Sequence, residues 1–114
     1  MKRLPDILII IAALLILTAS ALVAQQEKGS ITGQVTDHAT KMVLQGVNVI
    51  IVGTTQGAST DAEGRFEIAD VTVGTYRVKF SYIGYQPFVA TDVIVRTGHA
   101  HQVNAELMEE AVDI

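Results

Sequence analysis

The sequence predicts an exported, all-β domain, an immunoglobulin-like antiparallel sandwich of about seven strands preceded by a signal-peptide helix. Three observations carry this. Between residues 29 and 108 apolar side chains recur at every second position, the period of half-buried strands and not of helices. Glycine and aspartate turn signals divide these runs at short intervals. The first two dozen residues combine a basic start, an apolar run and a patch of small residues, the layout of a leader.

The leader begins with Lys2 and Arg3 and continues as an unbroken apolar run over residues 7–17. Ala19, Ser20 and Ala21 fit the small-residue cleavage pattern, with the cut after Ala21; a cut after Ala24 places bulky Leu22 three residues before it. The eleven-residue run suits a signal core, whereas the wider stretch 7–24 has 18 residues and sits at the lower edge of what spans a bilayer. Cleavage is therefore expected, with an uncleaved anchor as the alternative. The resulting organisation is a signal peptide over 1–24, a polar linker over 25–28, a sandwich over 29–108 and a short, acidic, frayed tail over 109–114.

Composition narrows the function. The 114 residues carry a formal charge of −4. Lys2, Arg3 and Asp6 leave with the leader, so six basic residues face eleven acidic ones in the remainder. That balance opposes binding to nucleic acid or to an anionic lipid surface, both of which need clustered Lys and Arg. There is no cysteine, hence no disulfide, no thiol nucleophile and no lipidation on a cysteine. About 90 residues suffice for one core and leave no room for a second domain.

The strands follow in order. Ile31, Gly33 and Val35 alternate with Ser30, Thr32, Gln34 and Thr36, and Asp37-His38-Ala39-Thr40 turns the chain. Residues 47–52 are apolar on nearly both faces, which predicts a central strand. Asp61-Ala62-Glu63-Gly64 has the Asp and Gly placement of a type I turn, with Asp61 capping it and Gly64 relieving strain at the reversal. Phe66 and Ile68 then alternate with Arg65 and Glu67, and Tyr76, Val78, Phe80 and Tyr82 with Arg77, Lys79 and Ser81. Gly84 is expected to bend the chain or admit a neighbouring backbone. Residues 88–95 form a further strand, broken or bulged near Ala90 and Thr91, with Pro87 at its start or on an edge because proline cannot donate to a ladder. Val103, Ala105 and Leu107 alternate with Gln102, Asn104 and Glu106. Phe66, Tyr76, Phe80 and Tyr82 are the expected aromatic core; Tyr85 and Phe88 are left open.

Candidate chemistry is sparse. His99-x-His101 can place two imidazoles on one strand face, a possible start of a zinc site, but no third ligand is recognisable and Gly98 points to a solvated turn. His38 is a lone turn histidine. Asp61-x-Glu63-Gly64 faintly resembles a calcium loop without enough oxygen ligands in order. Ser30, Ser59 and Ser81 stand in ordinary strand or turn positions, and no G-x-S-x-G elbow occurs. No catalytic, cofactor-binding or metal-ligating residue is assigned, and no cofactor is expected.

Gly33-x-Val35-x-Asp37, Gly46-Val47-x-Val49, Gly53-Thr54, Gly57, Thr60-Asp61-x-Glu63-Gly64-x-Phe66-x-Ile68, Gly74-x-Tyr76-x-Val78 and Tyr82-Ile83-Gly84-Tyr85 occur in that order. The ordered set resembles the carboxypeptidase regulatory-like domain, a transthyretin-like β-sandwich, in the version found at the N-terminus of TonB-dependent outer-membrane receptors of the starch-utilisation type. Val43 and Gln45 flank Leu44 where that family usually has prolines, which predicts a less rigid loop. In the receptors a TonB-contacting segment, a plug and a large barrel follow. The chain is accordingly read as a front fragment or a free-standing domain, with 109–114 resembling the approach to the missing segment.

The resemblance implies a non-catalytic accessory domain, periplasmic or associated with the outer membrane. It would act by contact with the plug and barrel of a receptor or with the energy-coupling machinery, through an edge strand or a loop cluster. The alternative is a free-standing exported sandwich with a structural or carbohydrate-binding role. A small metal-dependent hydrolase ranks last. The family name implies no peptidase activity, since the zinc-peptidase domain is a separate one and its H-x-x-E motif does not occur here.

Overall fold

The computed structural model describes residues 10–11 and 27–111; apart from Ile10 and Ile11, the expected leader and the first half of the linker lie outside them. Eight strands follow one another: β1 (Lys28–Asp37), β2 (Asn48–Ile51), β3 (Gly57–Ser59), β4 (Arg65–Thr72), β5 (Gly74–Ser81), β6 (Phe88–Val95), β7 (Ala100–Gln102) and β8 (Ala105–Leu107). They form two four-stranded sheets. One has the order β4-β1-β7, with β8 also paired to β1; the other runs β3-β2-β5-β6.

The period-two pattern fixes which residues meet. Ile31 and Val35 of β1, Phe66, Ile68 and Val71 of β4, and Ala105 and Leu107 of β8 turn inward from the first sheet. Val49 and Ile51 of β2, Val78 and Phe80 of β5, and Val93 and Val95 of β6 meet them from the second. Each such burial contributes about 1.5–3 kcal/mol for a large side chain. Phe66 and Phe80 join the two sheets edge to face, with ring centroids 5.5 Å apart. Of the expected aromatic core, Phe66 and Phe80 are buried and Tyr76 and Tyr82 are half-buried at its margin; of the two left open, Tyr85 packs against the core and Phe88 is exposed.

The first sheet mixes strand directions. β1 is antiparallel to β4 but parallel to both β7 and β8. The run expected as one strand over 102–107 is two, because the ladder breaks at Val103 and Asn104. There the Val103 amide donates to the Thr32 carbonyl over 2.7 Å. The Gln34 amide finds the Asn104 side-chain oxygen at 3.1 Å in place of a backbone carbonyl. The break explains Gly33: a Cβ at that position would lie 1.7 Å from the Val103 carbonyl oxygen.

Two of the edge strands, β4 and β6, are bulged. The β1–β4 register shifts between Gly29 and Ile31, and Asp70 opposite takes a left-handed φ of 54°. The β5–β6 register shifts between Tyr76 and Val78, and Asp92 takes 55°. The β6 bulge falls at Thr91 and Asp92, next to where the sequence places it, and Pro87 directly precedes this edge strand as expected. Bulged edges resist pairing with foreign strands.

The loop before β2 is held without prolines. Thr60, only 4 % exposed, donates its hydroxyl to the Leu44 carbonyl over 2.6 Å and accepts from the Val47 amide over 2.9 Å. Its backbone carbonyl takes the Gly46 amide. Hydrogen bonds to one buried threonine thus supply the restraint that the sequence lacks at Val43 and Gln45.

Candidate interaction surface

One end of the sandwich carries the two most exposed large apolar side chains among the described residues, Ile83 and Met42. Between β5 and β6 a tight turn runs from Tyr82 to Tyr85, closed by the Tyr85 amide on the Tyr82 carbonyl at 3.1 Å. Gly84 adopts φ +86° there, with nothing within 4 Å of its missing Cβ. Glycine is used for the bend itself, and not for a close backbone approach. The turn lifts Ile83 into solvent at 97 % exposure. Burying an isoleucine is worth about 1.5–3 kcal/mol, so a fully presented one is a contact group in waiting. Exposed Met108 and Met42 lie at the same end, where their carbonyls accept from Gln86 and Asp37.

The turn is fixed from below. The Tyr85 hydroxyl donates to Asp37 Oδ2 over 2.7 Å, while Asp37 Oδ1 accepts the amides of Ala39 and Thr40 at 2.8 and 3.0 Å. Asp37 is 4 % exposed and fully partnered. The Tyr85 hydroxyl, then the Thr40 amide, hold its carboxyl below the ordinary carboxylate range. In return Asp37, with burial second, pushes the Tyr85 phenol up to about 12. The Tyr82 and Tyr85 rings pack on each other at 5.5 Å.

The C-terminal stretch is part of this end. Tyr85 and Glu109 form an antiparallel bridge. The Gln86 amide donates to the Met108 carbonyl and the Glu110 amide to the Gly84 carbonyl, each over 2.8 Å. The expectation of a frayed tail from residue 109 is therefore corrected: through Glu110 the chain is laddered to the Ile83 turn. An open cleft of about 610 Å³ beside it is lined by Gly46, Asn48, Ser81, Tyr82, Pro87 and Glu110, among others.

Glu106 stands nearby with its carboxylate between His38 (2.8 Å) and Lys41 (3.0 Å). The His38 hydrogen bond first, and Lys41 second, lower its pKa. All three side chains are about half exposed, so the pairing orients the loop more than it stabilises it. His38 is thus a partner of β8, a role its isolation in the sequence did not suggest.

The remaining candidates are scattered. Asp61 Oδ1 accepts the amides of Glu63 and Arg65 at 3.0 and 2.9 Å, capping its turn, and Gly64 takes φ +72° against the Val35 carbonyl. Ser30, Ser59 and Ser81 lie in β1, β3 and β5. His99 is in the turn before β7 and His101 is in β7. Among the described residues no three His, Cys, Asp or Glu side chains gather as a metal site.

Two β-sheets closed over one core, with a fixed apolar turn at the chain's exit, define a β-sandwich module of the immunoglobulin-like class. The chain belongs to the CarboxypepD_reg-like domain family, whose model matches residues 31–114. It is 36 % identical over 70 residues to TonB-dependent receptor P3 of Formosa agariphila, a match covering 61 % of this chain and 7 % of that protein. The chain therefore spans a small fraction of this relative's length. Among solved structures it resembles a chain of a type II cohesin–X-dockerin complex from Acetivibrio cellulolyticus, with TM-score 0.61 and 28 % identity over 75 % of this chain and 60 % of that one. It also shares the fold of the minor pilin GBS52 of Streptococcus agalactiae, with TM-score 0.55 and 17 % identity over 78 % and 48 % of the two chains.

Proposed function

We propose that this domain is a non-catalytic, periplasmic accessory module of a TonB-dependent outer-membrane receptor, acting by protein contact through the Ile83 end. The observation that carries the reading is the joint placement of the bare Ile83 turn and the laddered segment Met108–Glu110. The bond from the Glu110 amide to the Gly84 carbonyl holds this segment beside the exposed contact group. The receptor relative, matched over a small part of its own length, and the cohesin–dockerin neighbours, whose complexes are protein–protein assemblies, support contact over chemistry. The bulges at Asp70 and Asp92 disfavour strand addition at the β4 and β6 edges.

Carbohydrate binding has less behind it. The two tyrosines at the cleft pack on each other and Tyr85 commits its hydroxyl to Asp37, which leaves little free aromatic face for a sugar.

The test is removal of residues 29–108 from a receptor that carries this domain. Uptake of that receptor's substrate is expected to change while the barrel still assembles, scored by heat-modifiable migration of the folded barrel. Unchanged uptake with a normal barrel contradicts the proposal.

A further inference from the structure

At the opposite end from Ile83 a short connection joins the edge strands β6 and β7 of the two sheets. The connection is a turn closed by the His99 amide on the Arg96 carbonyl at 3.2 Å, with the Gly98 amide on the Lys28 carbonyl at 3.0 Å. Gly98 takes φ +69°, which folds Arg96 and His99 back toward each other. A cavity of about 360 Å³ results, lined by Ile94, Arg96, His99, Ala100 and His101.

From this geometry we infer that the cavity is a binding site for a tetrahedral oxyanion such as a phosphate or sulfate group. The two histidines that alone suggest the start of a zinc site share their cavity with a guanidinium. A permanently charged Arg96 repels a divalent cation and supplies the planar fork of donors that matches oxyanion oxygens. Each imidazole carries at least one N–H donor in either protonation state. No carboxylate lines the cavity. Among the described residues none of these three side chains is held in an ion pair or side-chain hydrogen bond. In a chain with an excess of acidic residues, a cavity lined by one fixed cation, two histidines and no acid favours an anion over a cation. The inference is independent of the function proposed above, since it uses the other end of the molecule.

Sulfate, titrated into the exported protein at ionic strength held constant with chloride, is expected to shift the imidazole proton resonances of His99 and His101. Arg96→Gln is expected to weaken the interaction about tenfold or more, and His99→Gln to weaken it less. Both positions are at the surface, so circular dichroism should be unchanged in either variant. Vesicles containing phosphatidylglycerol, compared with phosphatidylcholine alone, separate the sources. Arg96-dependent binding to the former assigns the anion to a lipid headgroup, and sulfate binding without vesicle binding assigns it to a soluble group. Absence of any sulfate-dependent shift together with no vesicle binding overturns the inference. So does stoichiometric zinc retained through dialysis and lost in a His99→Gln, His101→Gln double variant.

Discussion

Tyr85 reaches 48 residues back along the chain to place its hydroxyl 2.7 Å from Asp37. This bond connects the end of β1 in one sheet to the turn that leaves β5 in the other. It anchors the last residue of the turn that carries Ile83, and its two titrations bracket the pH range in which it persists. Asp37 has a folded pKa below the ordinary aspartate value of 3.8, so its contribution is complete above that value and is lost as pH falls through the lowered one. Tyr85 is raised from 10.0 to about 12, so its contribution is complete below 10.0 and is lost as pH rises toward about 12. Wild-type protein is therefore expected to lose melting temperature below about pH 4 and above about pH 10. Tyr85→Phe should lower Tm by several degrees at neutral pH and blunt the alkaline loss. A thermal melt series across pH checks both; an alkaline profile identical in the two proteins contradicts the assignment.

Gly33 faces the Val103 carbonyl at a distance that no Cβ tolerates, 1.7 Å, and the Phe66 ring is 2.8 Å from the same point. Gly33→Ala must therefore push β7 and β8 off β1 or displace Phe66. We expect a loss of about 3 kcal/mol or more, read by urea denaturation. A loss under about 1 kcal/mol would show that the β7–β8 break is not rigid.

Asp92 at φ 55° is a non-glycine residue in left-handed backbone on an exposed edge. Asp92→Gly should be neutral or stabilise by up to about 1 kcal/mol, and Asp92→Val should destabilise by about 1–2 kcal/mol. Equilibrium unfolding of the two variants separates them. If the glycine variant is the less stable, the bulge is held by the aspartate side chain.

Burial and exposure should divide stability from contact. Phe80 is fully buried between the sheets, and Phe80→Ala should cost about 3–5 kcal/mol, a large share of the total for a domain this small. Ile83→Ala should change stability by no more than about 0.5 kcal/mol. Chemical denaturation of both provides the check, and a marked loss in the Ile83 variant would reveal a packing role that its exposure denies.

Much of this fold is legible in the chain because period-two burial is a local property. Ile31 and Val35, Phe66 and Ile68, and Val78 and Phe80 are core residues that their spacing announces. The bulge in β6 is legible too, since Thr91 and Asp92 interrupt the apolar stretch over 88–95. What stays hidden depends on contacts distant in sequence. β3 has three small residues, too few to show a period. The alternation through Val103, Ala105 and Leu107 persists across the β7–β8 break, because the cause lies on Gly33 in another strand. Period also carries no direction, so the parallel pairing of β1 with β7 and β8 is not encoded locally. Asp37 is visible as a turn residue, but its bond to Tyr85 is not. Likewise His99 and His101 declare themselves by spacing, whereas Arg96 joins them only when the turn closes.

Ile83 is the contact group on which the proposed function depends. The direct measurement is substrate uptake by a full receptor carrying Ile83→Glu, with barrel assembly and the melting temperature of the isolated domain followed alongside. We predict an uptake defect matching that of the 29–108 deletion, with assembly and melting unchanged. Wild-type uptake from a normally folded variant would contradict it.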